Sequence, residues 1–374
     1  MDLARCRTRS RAARPRGLAR GPAIIRGVSW VDDRPVLVAP DAFKGTFAAT
    51  EVADAIAEGL EATGLVADRC PIADGGEGTA AVLRAALGGE VHEVLATGPL
   101  GAPVRAQFTL LPPAAGRART PRTAVVEVAS ASGLPLVPEA DRDPLRATTA
   151  GTGELIGAAI DAGAELVLVA CGGSATVDGG AGALEAIEAH GGLRGARLAC
   201  LVDVLTPWER CAAVFGPQKG ASPGDVKLLE TRLAELAATF PSDPAGIPGT
   251  GAAGGLSGGL HAVHGAALEA GAPYVLGVLG VDARMRAARF VVVGEGRIDR
   301  TTLQGKAPGE LATRARQAGV PCSAVVGQAA IHPFDARIID LMEILEATTR
   351  DELVAAGQLL GERWLAAAAA PVGA

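Results

Sequence analysis

Residues 165–182 read ELVLVACGGSATVDGGAG. Glu165–Cys171 contains an unbroken succession of apolar residues after Glu165, long enough for one fully buried strand and too short for a helix of ordinary length. Gly172-Gly173-Ser174 follows, a hydroxyl held in flexible backbone. Then come Asp178, Gly179-Gly180-Ala181-Gly182 and a helical pattern over Ala183–His190. A strand that passes through glycines into a helix start aims unpaired backbone N–H groups at one spot. Such a spot attracts anions, phosphate above all. The alternative is a tight turn that merely needs glycine.

The same strand–loop–helix unit recurs on both sides. Val36–Ala39 is a short strand delivering Asp41 and Lys44 into a loop, with Thr46 or Thr50 expected to cap the helix that runs through Leu60. Val66–Ile72 reads as a second strand ending in Asp74-Gly75-Gly76-Glu77-Gly78-Thr79, before a helix over Ala80–Leu87. From Gly89 the pattern changes to period-2 strands at Val91–Ala96, Val104–Leu111 and Thr123–Ala129, with a Pro/Arg surface loop at Pro112–Arg122. Leu145–Gly163 reads as a helix, Leu198–Val204 as a strand with Asp203 near its end, and Asp225–Thr239 as an amphipathic helix. Phe290–Val293 returns to the first rhythm, running into Gly294-Glu295-Gly296-Arg297-Ile298-Asp299 and then Gly305-Lys306. A helix at Pro308–Ala318, strands at Cys322–Val326 and Met342–Leu345, and a closing helix at Asp351–Ala368 follow. The expected class is α/β in two domains. One is discontinuous, residues 34–88 with 287–374, and the other, 89–286, is inserted into it. Residues 1–33 carry eight arginines and no hydrophobic periodicity, and are expected to be a disordered tail or the product of a start codon placed too early.

Composition narrows the function. With 374 residues, 49% hydrophobic, the chain can bury the cores of two domains. A net charge of −6 and 3% aromatics argue against nucleic-acid binding, and no apolar run reaches the length of a membrane span. Six scattered cysteines without a CxxC pair read as reduced cytosolic thiols, which sets the expected location as the cytoplasm. Four lysines stand against 31 arginines, and three of the four, Lys44, Lys219 and Lys306, adjoin a glycine. A compact ammonium beside flexible backbone points to phosphate chemistry. The literal GxGxxG at Gly249–Gly254 follows prolines and no strand, so it is read as a glycine-lined helix start and not a dinucleotide fingerprint. There is no Walker A sequence.

Taken together, APDAFKGT, PIADGGEGT, EVASASGLPLVP, TTAGTGELI, CGGSATVDGGAG, VFGPQKGA, GTGAAGGL and GEGRIDRTTLQGKAP resemble, in order, the bacterial type I glycerate kinase family from about Val36 to Val326. The resemblance implies a flavodoxin-like discontinuous parallel-sheet domain with a second α/β domain inserted and the site between them. It implies ATP-dependent phosphorylation of D-glycerate, mostly at the 2-hydroxyl, with glycerate 3-kinase activity or a non-catalytic sugar-acid-binding homologue as alternatives. A hydroxy-acid dehydrogenase is a third class, weakened by the missing fingerprint, and a homodimer is compatible with the pattern. Two departures stand out: Leu205–Cys211 is about three residues shorter than the family's segment after the aspartate matching Asp203, and the 112–122 loop is longer.

Phosphoryl transfer needs alignment, cations on the phosphates and a carboxylate near the attacking hydroxyl. With that resemblance, the loop of Gly172, Gly173, Ser174, Gly179 and Gly180 is expected to cradle phosphate or carboxylate, with Asp203 beside it. Lys44 is expected to neutralise the γ-phosphoryl group, with Lys219 or Lys306 as substitutes. Asp178 is the first candidate to orient or deprotonate the hydroxyl and Asp41 the second. Mg²⁺ is expected on one or two of Asp74, Glu77, Glu295 and Asp299, and Arg297 on the substrate carboxylate. For every acid the alternative is loop capping or a surface ion pair.

Overall fold

The computed structural model describes residues 33–113 and 120–369. The leader and the middle of the Pro/Arg loop lie outside the described residues. Within them the strands are β1 (Val36–Pro40), β2 (Ala67–Arg69), β3 (Glu90–Thr97), β4 (Pro103–Leu111), β5 (Thr123–Glu127), β6 (Leu166–Ala170), β7 (Arg197–Val202), β8 (Ala267–Ala270), β9 (Val291–Ile298), β10 (Cys322–Ala329) and β11 (Leu341–Glu346). They form two sheets. The first has the order β11-β10-β9-β1-β2 and is parallel throughout. Counted within the sheet this is the flavodoxin order 2-1-3-4-5, whose direction of winding reverses between β1 and β9. The second has the order β3-β4-β5-β6-β7-β8, antiparallel through β5 and parallel after it.

Apolar strands buried on both faces explain the first sheet: Val36, Leu37, Val38 and Ala39 are fully buried, as are Val291 and Val292. One continuous core reaches from Leu37 and Val293 in the first sheet to Val125, Leu168 and Leu201 in the second. The helix Gly271–Val278 fills the space between them with Ala272, Val275 and Leu276. A second core lies on the other face of the inserted sheet, under the helices Ala150–Asp161 and Ala181–Ala189.

Several boundaries differ from the sequence expectation, each for a local reason. The second strand keeps only three residues, Ala67–Arg69, because Pro71 has no N–H to continue the regular ladder, although Cys70 and Ile72 still donate to the Val38 and Pro40 carbonyls of β1 at 2.8 and 2.9 Å. The helix expected from Leu145 starts at Ala150, after a turn in which the Asp143 carboxylate accepts the Leu145 N–H. Neither Thr46 nor Thr50 caps the first helix, Ala49–Ala62. Ala48 holds the cap position, and its N–H is taken by the Glu51 carboxylate at 2.8 Å. β8 and the helix after it have no sequence signal, since Ala267-Leu268-Glu269-Ala270 contains no β-branched residue. The Gly249–Gly254 stretch does lead into a helix, Leu256–His264. Gly254 lies so close to Thr176 that a Cβ there would stand 2.0 Å from the Thr176 carbonyl. This segment therefore packs behind the 172–182 loop.

Candidate active site

The carboxyl ends of β1 and β9 meet where the winding of the first sheet reverses, the place where open α/β sheets hold ligands. A cleft of about 410 Å³ opens there. Its walls carry Asp41, Phe43 and Lys44 from the loop after β1, Asp74, Glu295 and Arg297 from the end of β9, Lys306, Gln328 from β10, and Thr348 beyond β11. Six sequence candidates, Asp41, Lys44, Asp74, Glu295, Arg297 and Lys306, thus converge from four loops.

The cleft is electrostatically tense. The Asp41 carboxylate is buried and accepts one hydrogen bond, from the Ala42 N–H at 2.6 Å. Burial, and then the neighbouring Asp74, push its pKa up to about 8. Asp74 is buried too. Its Oδ1 accepts the Gly76 N–H at 3.0 Å, and its Oδ2 lies 3.7 Å from Lys44 Nζ. Asp74 in turn holds the Lys44 ammonium above its usual pKa, with Asp41, Asp203 and Glu77 adding to it. Asp203, at the end of β7 in the other sheet, is raised by burial and by Asp74, and feels both Lys44 and Lys306. Glu295 is raised by burial. Its Oε1 accepts the Thr302 hydroxyl at 2.6 Å, and its Oε2 lies 3.5 Å from Lys306 Nζ. Arg297 is exposed and held at one side by Gln328, to whose Oε1 it donates at 3.1 Å.

The 172–182 loop is close by, but its Asp178 carboxylate and Ser174 hydroxyl are engaged by the protein itself. Gly172 lies against Gly76, where a Cβ would meet the Gly76 Cα at 2.8 Å, and Gly173 lies beside the exposed Glu77 carboxylate. This brings the loop of the second sheet onto the acidic loop of the first. Asp178, however, is not among the residues lining the cleft. Its Oδ2 accepts the Thr149 N–H and hydroxyl, both at 2.8 Å, and the Gly182 N–H at 3.3 Å, while Oδ1 accepts the Gly180 N–H at 3.1 Å. An internal carboxylate thus occupies the helix N-terminus that the sequence pattern offers to phosphate.

Ser174 and Lys219 point into the protein as well. Lys219 Nζ donates to Ser174 Oγ at 2.8 Å and to the Thr176 carbonyl at 2.7 Å, and lies 5.9 Å from the Phe215 ring centre. Complete burial pushes its pKa down to about 8. Of the four expected metal ligands, Asp74 and Glu295 line the cleft and Glu77 and Asp299 do not. Asp299 caps the turn Arg300–Gln304, accepting the Thr301 N–H at 2.8 Å and hydroxyl at 2.5 Å, and the hydroxyl holds its carboxyl below the usual range. Among the described residues, no group of three or more His, Cys, Asp or Glu side chains is arranged to hold a metal ion by itself.

Three polar residues escaped sequence reasoning. Glu127, at the end of β5, accepts the N–H groups of Gly78 and Ala80 and so occupies the N-terminus of the helix Thr79–Leu87. Gln328 and Thr302 hold Arg297 and Glu295. For Glu127 the signal was a lone acid ending a strand; for Thr302, the capping spacing Asp299–Thr302.

The fold and this cleft define a two-sheet α/β enzyme that handles a small, multiply charged substrate. The profile of the Glycerate kinase family matches residues 36–191 and 188–369. The glycerate kinase of Bacillus subtilis (strain 168) is 40% identical over 329 residues, covering 78% of this chain and 84% of the relative. The glycerate 2-kinase of Escherichia coli (strain K12) is 35% identical over 329 residues, with the same coverage of 78% and 84%. A crystal structure from Salmonella typhimurium LT2, provisionally titled as glycerate kinase 2, superposes with a TM-score of 0.75 at 33% identity, covering 90% of this chain and 99% of that one. The chain belongs to the glycerate kinase family. Membership makes it a kinase that acts on small molecules and uses ATP.

Proposed function

We propose that the protein transfers the γ-phosphoryl group of ATP to the 2-hydroxyl of D-glycerate, giving 2-phosphoglycerate and ADP. The observation that carries this reading is the meeting of Asp41, Lys44, Asp74, Glu295, Arg297 and Lys306 in one cleft at the switch point of the first sheet. The hydroxyl oxygen attacks the γ-phosphorus, the bond to the ADP oxygen breaks, and the hydroxyl proton passes to a carboxylate. Asp41 is the better acceptor, because burial and Asp74 bring its pKa near the working range of a general base. Asp178 has no free acceptor aimed at the cleft and is assigned a supporting role. Lys44 and Lys306 neutralise phosphate charge, and Arg297, steadied by Gln328, takes the substrate carboxylate. Asp203 adds its carboxylate from the second sheet.

The donors suit Mg²⁺, which prefers hard oxygen ligands and keeps several waters beside one or two carboxylates and the substrate phosphates. Asp74 and Glu295 would hold it, and when bound it would spread the charge of the ATP oxygens. We also propose that the two sheets are the bodies of two domains, 34–88 with 287–374 and 89–286. Among the described residues no helix is long and apolar enough to cross a membrane, and we propose a cytoplasmic location. Incubation with ATP and D-glycerate, followed by phosphorus NMR of the product, tests the assignment. Exclusive 3-phosphoglycerate overturns the regiochemistry, and no ADP formed in response to D-glycerate overturns the substrate.

A further inference from the structure

We propose that Thr302 is a positioning residue, whose hydroxyl fixes the Glu295 carboxylate in the cleft and sets it against Lys306. The inference rests on the reading of the cleft as the phosphoryl-transfer site. Thr302 is 1% exposed and does not line the cleft. Its Oγ1 accepts the Asp299 N–H at 3.1 Å and donates to Glu295 Oε1 at 2.6 Å. The hydroxyl proton is thereby committed to the carboxylate, since the other side of the oxygen is already taken by a donor.

The frame around Thr302 cannot easily give. Its N–H bonds to the Asp299 carbonyl at 3.1 Å, and the Asp299 carboxylate is itself fixed by Thr301. On the other side Gly309, at the start of the helix Ala307–Ala318, lies so close that a Cβ there would stand 2.1 Å from the Thr302 carbonyl. The same turn ends in Gly305-Lys306. Thr302 therefore joins the end of β9, which carries Glu295, to the turn that carries Lys306. With Oε1 pinned, Oε2 faces Lys306 at 3.5 Å. Without the hydroxyl, Glu295 is free to rotate onto Lys306 in a closed ion pair, and both leave the geometry that a polyphosphate requires.

Thr302→Val keeps the branched shape and removes the donor, and Thr302→Ser restores the donor. Removal of such a supporting contact is expected to lower kcat roughly 10–100-fold and weaken calorimetric binding of ATP with Mg²⁺ about tenfold, with the D-glycerate KM within about threefold of wild type. Thr302→Ser is expected to recover most of both. Thr302→Ala serves the same test should the valine variant not fold. Wild-type kcat and ATP affinity in the valine or alanine variant overturns the proposal, as does an equal defect in Thr302→Ser. A fall in melting temperature with kcat unchanged also overturns it, leaving a purely structural contact. Absence of D-glycerate-dependent turnover in the wild type fails the functional reading instead, and the ATP-binding arm then still decides whether Thr302 organises the cleft.

Discussion

Thr149 and Asp178 are joined twice: the Asp178 Oδ2 accepts both the backbone N–H and the hydroxyl of Thr149, each at 2.8 Å. Thr149 precedes the helix Ala150–Asp161, and Asp178 precedes the helix Ala181–Ala189. The Thr149 hydroxyl also accepts the Ala183 N–H at 3.0 Å. One carboxylate and one hydroxyl thus satisfy amides at two adjacent helix starts, where negative charge is favoured by both dipoles.

Asp178→Asn replaces an acceptor with a donor in this cage of N–H groups. The expected result is a loss of about 1–3 kcal/mol of stability in urea unfolding. Turnover is expected to stay within about tenfold of wild type, short of the roughly 100-fold or greater loss that follows removal of a positioned acid–base group. A loss of the latter size at unchanged stability would return Asp178 to the chemistry.

Lys44 is the opposite case. Its side chain is exposed, it lines the cleft, and its protein partner is Asp74 at 3.7 Å, a separation long enough for an incoming phosphate to draw the ammonium away. Lys44→Ala is expected to lower kcat by about 100-fold or more while raising the ATP KM much less. Lys44→Arg should recover little, because a planar fork does not reproduce a point charge. Steady-state kinetics with ATP and D-glycerate decide it, and near-normal kcat in Lys44→Ala would move the role to Lys306.

These two residues mark the boundary of what the sequence discloses. The buried strands at Val36, Leu166 and Val291 were legible because continuous apolar runs bounded by glycine or proline have few other uses. The convergence of Asp41, Lys44, Asp74 and Glu295 was legible because all sit in the loops expected at the carboxyl ends of strands read from the sequence. What pattern reading could not tell was which carboxylates face solvent and which face backbone amides. Asp178 and Asp299 have the loop setting of site acids, yet both are caps: Asp299 caps its own turn through Thr301, two residues on, whereas the Asp178 cap depends on a pairing that only the fold reveals. In Asp178's case the partner, Thr149, lies in another helix start. Glu127 was invisible for the converse reason, a lone acid at a strand end whose two amide partners lie 49 and 47 residues earlier.

Asp41 gives a pH signature in the ligand-free protein. Its carboxyl is raised from 3.8 to about 8 in the folded state. Between those values the folded protein holds a proton that the unfolded chain has released, so this group's contribution to stability falls as pH rises from about 4 to about 8. Asn mimics the protonated carboxyl and does not titrate. Asp41→Asn is therefore expected to gain stability over wild type as pH rises, with a melting-temperature difference larger at about pH 8.5 than at about pH 5. A constant difference across that range would place the proton elsewhere among the clustered carboxylates. The same variant should show little turnover, since it has no base to offer.

Lys219 gives the opposite sign at higher pH. It is 2% exposed, and its ammonium is matched to a hydroxyl, a carbonyl and an aromatic face, with no carboxylate within ion-pair distance among the described residues. Burial lowers its pKa from 10.5 to about 8. Between those values the unfolded chain is protonated and the folded protein is not, so stability from this group rises with pH through the window from about 8 to about 10.5. Lys219→Met keeps much of the length and removes the titrating charge, at the cost of the bonds to Ser174 and Thr176. Urea midpoints at about pH 7.5 and about pH 10 are expected to show wild type gaining on the variant as pH rises. Other lysines, tyrosines and thiols titrate in the same range, so the difference between the two proteins is the quantity to read. Because Lys219 is sealed behind the 172–176 loop, the ATP KM of the variant is expected to stay within about threefold of wild type. A much larger rise in the ATP KM, with no change in the pH dependence of stability, would put the Lys219 charge on a phosphate and reverse this assignment.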